Sequence, residues 1–263
     1  CVDEINTGSV LNVVDSYILS NTAAAGECGA GAIYVSSYSA VYFTGNIVQA
    51  NRAPGLNGDT GAFYFDASTD GQFVITGNRF RFNTASQADG ALTVDISDDS
   101  LITIADNEIN SNSATTGASA ISVNTGTTLA SPIVRIQRND IRSNTVSATG
   151  KGAIYATGTA DLWLLTENNV IAGNANGGIV VSDCGMRSTN DTIASNGRYA
   201  FAAEGATVTA QIQVINTIVW SHTASFVDNT AGATITFAPE YSVVQYDTSG
   251  DPTIVTTNPS FAE

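Results

Sequence analysis

The segment Gly45-Asn-Ile-Val-Gln-Ala-Asn51 has close relatives that return at regular intervals down the chain. They are Gly77-Asn-Arg-Phe-Arg-Phe-Asn83, Asp106-Asn-Glu-Ile-Asn-Ser-Asn112, Arg138-Asn-Asp-Ile-Arg-Ser-Asn144 and Asn168-Asn-Val-Ile-Ala-Gly-Asn174. The closing asparagine continues to Asn21 on one side and Asn196 on the other. Successive closing asparagines lie 30, 32, 29, 32, 30 and 22 residues apart. Self-similarity at such a period marks a stacked-repeat architecture.

Two further columns keep step with the first. One is a small-residue corner: Gly31-Ala-Ile33, Gly61-Ala-Phe63, Gly90-Ala-Leu92, Ser119-Ala-Ile121, Gly152-Ala-Ile154 and Gly177-Gly-Ile179. The other is a strand just before the first asparagine, with alternate positions apolar. Val41/Phe43, Phe73/Ile75, Ile102/Ile104, Val134/Ile136 and Trp163/Leu165 are expected inward. Tyr42, Val74, Thr103, Arg135 and Leu164 are expected outward.

Each unit thus carries three short period-2 strands between Gly- and Asn-rich corners, and no unit can bury its apolar face alone. The expected fold is all-β: a single-stranded right-handed parallel β-helix of about 8–9 coils, each of roughly 22–33 residues. Asparagines at one place in every coil predict an internal amide ladder running from rung to rung. The expected organisation is one domain over 1–263, with 197–263 forming irregular C-terminal coils or a cap. There the closing asparagine disappears from Asn216-Thr-Ile-Val-Trp-Ser221.

Composition agrees. The 263 residues hold 24 acidic and 9 basic side chains, a net charge of −15, which speaks against a nucleic-acid partner. No run of about 18 apolar residues is present to span a membrane in this segment. Lys151 is the sole lysine, and glutamate is scarce, so helix-forming composition is lacking. The chain starts at Cys1 and is expected to be a processed chain or a piece of something longer.

The Gly-Asn-x-Ile-x-x-Asn and Gly-Gly-Ala-Ile-like repeats resemble those of bacterial secreted and surface right-handed parallel β-helix proteins, including polymorphic outer-membrane-protein-like repeats. The end of the chain is similar to the C-terminal signature of "choice-of-anchor" β-helix proteins: Asn216-Thr-Ile-Val-Trp220, Tyr241-Ser-Val-Val-Gln245 and Asn258-Pro-Ser-Phe261. That family usually has Asp-Pro-Leu-Phe at the last of these. The resemblance implies a parallel β-helix and an extracellular, cell-surface setting. It carries no catalytic residue onto this chain.

Candidate sites come from aligning the coils. Asp66 and Asp70 align with Asp95 and Asp99, which places carboxylates on neighbouring rungs. They form a hydrated turn, a calcium site or, least favoured, a glycosidase pair. Calcium is the only cofactor under consideration. Tyr34, Tyr64, Thr93, Ser122 and Tyr155 make an outward stripe that serves either rung-to-rung stacking or sugar contact. Tyr34, Tyr64 and Tyr155 are the glycan-contact candidates. Arg79 aligns with Glu108 and Asp106 with Arg138, which reads as structural pairing rather than a lyase base. Cys1 and Cys28, 27 residues apart, either form a disulfide between adjacent rungs or are unrelated. Cys184 reads as a buried thiol. His222 is the single histidine, so Ser-His and His-zinc constellations find no support.

The function expected from these readings is a non-catalytic extracellular β-solenoid. Its role is structural, adhesive or self-assembling, towards copies of itself or a host or matrix surface. The alternatives are a polysaccharide-active lyase or hydrolase, or a glycan-binding module.

Overall fold

The computed structural model describes residues 9–23, 31–36, 40–55, 60–67, 71–96, 100–125, 133–147, 149–158, 162–205, 210–222, 227–229 and 235–244. Among them there is no helix, and every strand pairing is parallel. One coil shows the plan. Gln72–Thr76 lies in a first sheet, Arg79–Arg81 in a second, Thr84–Ala85 in a short ledge sheet, and Leu92–Ile96 in a third. The next coil repeats it with Leu101–Ala105, Glu108–Asn110, Ser113–Ala114 and Ile121–Thr125. The first and second sheets have nine strands each, the third eight and the ledge four. The chain is therefore a parallel β-solenoid.

About six turns, from Ala40 to Glu204, have all three main strands described in full, slightly fewer than the 8–9 coils expected. The difference lies at the ends, where rungs such as Ala210–Ile215 and Ile235–Glu240 extend the first sheet beside segments outside the described residues.

Corner chemistry explains why the repeat has its form. The residue before each repeat asparagine takes a left-handed backbone: Gly45 and Gly77 (φ 70° and 67°), then Asp106, Arg138 and Asn168. Five residues on, Ala50, Phe82, Ser111, Ser143 and Gly173 do the same. A left-handed L-residue costs roughly 1–2 kcal/mol, so something must hold those corners. The inward asparagines do so, in two ladders rather than the one expected. Asn78 Nδ2 donates to the Phe43 carbonyl (2.8 Å) and to Asn107 Oδ1 (2.9 Å), and the Asn78 main-chain N–H donates to that same Oδ1 (2.9 Å). Asn83 repeats the arrangement with the Val48 carbonyl and Asn112 Oδ1. Each amide thus ties its own turn to the rungs on both sides.

The core lies between the three sheets as one cluster running from Val41 to Val244. Val41, Phe43, Phe73, Ile75, Ile102, Ile104, Val134 and Ile136 are fully buried, as the alternation predicts. At the next rung the expectation is corrected. Leu164 and Thr166 point inward, in register with Val134 and Ile136, while Trp163 and Leu165 are half-buried on the outside. A hydroxyl can sit in this core because Thr166 Oγ1 donates to Asp191 Oδ2 at 2.6 Å. The glycine corner has a steric cause. A Cβ on Gly61 would come within 2.1 Å of the Gly90 carbonyl oxygen of the next rung, and one on Gly90 within 2.2 Å of that of Ser119.

The ledge explains the change of period after Asn174. Coils with a ledge strand need about 30 residues between closing asparagines. From Asn174 the chain passes through only Ala175 and Asn176 before Gly177–Ser182 joins the third sheet, and the ledge strand is gone. The coil shortens without losing register.

Candidate functional site

The outer face of the third sheet gathers most of the candidate residues. Strand register places Tyr34, Tyr64, Thr93, Ser122 and Tyr155 in one row, and Asp66 beside Asp95 in the next. The row is not an open platform in its middle. Thr93 and Ser122 are 3% and 2% exposed although they face away from the core. The segment returning from the ledge leans over them: Asp89 Oδ2 accepts from Thr93 Oγ1 (2.8 Å), which also lies 2.5 Å from Thr60 Oγ1. Asp89 Oδ1 accepts the Ala118 main-chain N–H at 2.6 Å.

Three carboxylates therefore meet here. Asp95 accepts from the Tyr64 hydroxyl and, at 2.7 Å, from Asn124 Nδ2. Asp66 is held above the usual carboxylate range, first by partial burial and then by the Asp95 charge. Asp89 is pushed up to about 6, mainly by burial, against the hydrogen bonds from Thr93, Ala118 and Ser122 that favour its charged form. Asp70 and Asp99 lie outside the described residues, as do Cys1 and Cys28. Among the described residues no group of three or more His, Cys, Asp or Glu side chains is placed to hold a metal ion. The side chain of Tyr34 also lies outside what is described.

Asp89 yields a pH prediction. Its folded value lies above its unfolded value near 3.8, so the folded state binds the proton more tightly. That contribution to stability is fully present at low pH and is lost as pH rises towards and through 6. The whole window is worth about 3 kcal/mol, and about 1 kcal/mol of it falls between pH 7.5 and 5.5. Denaturant midpoints at those two pH values should therefore show less gain on acidification in Asp89→Asn than in the parent, by that amount. An equal gain in both would contradict the assignment.

Further along the stripe, Tyr155 packs with Val180, Tyr199 and Ala202 in a small apolar cluster on the outside of the sheet. Lys151 Nζ lies 5.3 Å from the Tyr155 ring centroid and pairs with Glu204, two coils away in sequence. The sole lysine thus spans this cluster.

The arginines expected to pair do so. Glu108 meets both Arg79 (3.6 Å) and Arg81, and Arg138 Nε meets Asp106 at 2.7 Å. The Arg138 hydrogen bond is the main reason that the Asp106 carboxyl is held low. Arg142 pairs with Asp140. Cys184 is buried, and burial pushes its thiol up to about 12, so it is a packing group rather than a nucleophile.

His222 has a place that its sequence context hid. Its Nε2 lies 3.1 Å from the Ile193 carbonyl, the counterpart of the bond from Asn196 Nδ2 to the Ile171 carbonyl one rung earlier. The imidazole therefore occupies the rung of the second ladder where Asn216-Thr-Ile-Val-Trp-Ser221 lacks its asparagine. Burial lowers its pKa, which keeps the ring neutral and able to accept as well as donate. In the first ladder Asp191 takes the place of an asparagine and accepts from Asn169 through its main-chain N–H (2.7 Å) and Nδ2 (2.9 Å). Ser188 Oγ adds a third partner at 2.6 Å, and burial raises the Asp191 pKa. Alignment on asparagine alone missed both residues. The signal that could have found them is spacing: Asp191 and His222 stand where the next asparagines are due.

The fold and these contacts define the chain as a parallel β-solenoid with polar ladders. Compared with known proteins, it matches no family model, no curated protein and no solved structure. Among the described residues, no helix is long and apolar enough to cross a membrane.

Proposed function

We propose that this chain is a non-catalytic, extracellular β-solenoid serving as a structural or adhesive module at a cell surface. The observation that carries the reading is where the reactive side chains go. Asp89, Asp95, Asp191, Glu108, His222 and Cys184 are each engaged with neighbouring rungs or buried in the core. A general acid–base pair needs carboxyls left accessible to substrate and held at a set separation. Here Asp95 is occupied by Tyr64 and Asn124, and Asp89 is covered. The bacterial surface setting rests on the repeat resemblance, and assembly into filaments is part of the same proposal.

One observation favours a second reading, a polysaccharide-active enzyme: the raised carboxyl of Asp66 beside Asp95. A panel of neutral and acidic polysaccharides, incubated with the protein with and without calcium, separates the two. Assays for new reducing ends and for unsaturated uronate products should stay silent under both conditions. Product formation that Asp95→Asn abolishes would establish the enzyme instead.

A further inference from the structure

We infer that the ledge sheet carries a saccharide-binding site in which the Arg52 guanidinium takes a single sugar carboxylate. The inference deepens the adhesive part of the proposed function and rests on it. Arg52, Ala53, Pro54, Thr84 and Ser86 line an open cavity of about 170 Å³. A closed cavity of about 150 Å³ takes one benzene-sized ring, so this open one holds the ring of one pyranose with its substituents reaching solvent. Arg79, Arg81, Arg138 and Arg142 are consumed by ion pairs, whereas Arg52 takes part in none of the five found among the described residues. Its exposed fork of N–H donors is suited to the two oxygens of a carboxylate.

The surroundings select a sugar over an acidic peptide. Thr22, Arg52, Thr84, Ser113 and Thr145 stand in register, one per rung, along the outer side of the ledge. Hydroxyls at the rung spacing can donate to and accept from the hydroxyls of successive sugar units. Ser86 Oγ donates to the Gly55 carbonyl at 2.7 Å, which fixes it and leaves its lone pairs for a ligand O–H. Exposed Pro54 supplies an apolar surface for the C–H face of a ring. The net charge of −15 works against a polyanion. A mostly neutral glycan with isolated uronic acids is therefore the class that fits.

The test is a titration of the whole chain, followed by amide chemical shifts, with glucuronate, glucose and a penta-aspartate peptide as probes. Glucuronate should give saturable shifts at 52–53 and 84–86, and glucose should not. Arg52→Gln should weaken glucuronate binding at least about tenfold, the loss expected for a hydrogen bond to a charged group. Arg135→Gln, on the first sheet, should leave it unchanged. No saturable shift, an equal response to glucose, or tighter binding of the peptide at the same residues would overturn the inference. Silence in this titration removes the site but leaves the non-catalytic reading standing, since that fails only on product formation.

Discussion

Asn112→Ala should destabilise the protein by about 5 kcal/mol, far more than a polar-to-alanine change normally does. Asn112 is fully buried. Its Oδ1 accepts the Asn83 main-chain N–H (3.0 Å) and Nδ2 (2.9 Å), and its own Nδ2 donates to the Phe80 carbonyl and Asn144 Oδ1, both at 3.0 Å. Truncation leaves the Asn83 main-chain N–H and one Asn83 Nδ2 hydrogen without an acceptor, in a place water does not reach, and takes one hydrogen bond each from the Phe80 carbonyl and Asn144 Oδ1. Each such group costs roughly 1–3 kcal/mol. Asn110→Ala, two residues away on the half-buried outer side, is the control and should cost less than about 1 kcal/mol. Equilibrium denaturation of the two variants against the parent measures the difference. Equal, small effects would mean that the ladder does not hold the stack.

The second large effect is expected at Phe63. Its ring is fully buried, with centroids 4.4 Å from Phe43 and 3.8 Å from Phe65. Phe80 and Phe73 extend the same aromatic group, 6.0 Å from Phe43 and 6.1 Å from Phe65. The corresponding places one and two rungs on hold Leu92 and Ile121, so the bulk is concentrated in the early coils. Phe63→Ala removes most of a large side chain from a close-packed site and should cost about 3–5 kcal/mol. Phe63→Leu, which matches the next rung, should cost much less. Thermal or denaturant midpoints of the pair provide the check, and a mild Phe63→Ala would indicate a loosely packed core.

Both predictions concern features that the sequence carries unequally. The closing asparagines and the alternating strands before them are local patterns repeated many times, so period, fold and most inward positions could be read directly. The register of Tyr64 with Thr93 and of Asp66 with Asp95 followed from the same alignment. Leu164 and Thr166 could not be read this way, because alternation rewards apolar residues. There the inward threonine is satisfied by Asp191, 25 residues away in sequence. Asp89 stayed hidden for a similar reason. It precedes a corner glycine like any turn acid, and only the fold of the ledge segment onto Thr93 makes it buried. The ladder through Asn46, Asn78, Asn107, Asn139 and Asn169 was present in the motif but was not set apart from the closing asparagines, since nothing local distinguishes an asparagine that turns inward from one in solvent. What remains legible is the stack; what is lost is how its outer face is covered.

The inward asparagines of this chain are spent on holding rung to rung. Hydrogen exchange of their side-chain amides, resolved by nuclear magnetic resonance, tests this. The Nδ2 protons of Asn78, Asn83, Asn107, Asn112, Asn139 and Asn144 should exchange only as slowly as the most protected main-chain amides of the sheets, through global opening. Exchange of those side-chain protons within minutes, while the sheet amides remain protected, would contradict it.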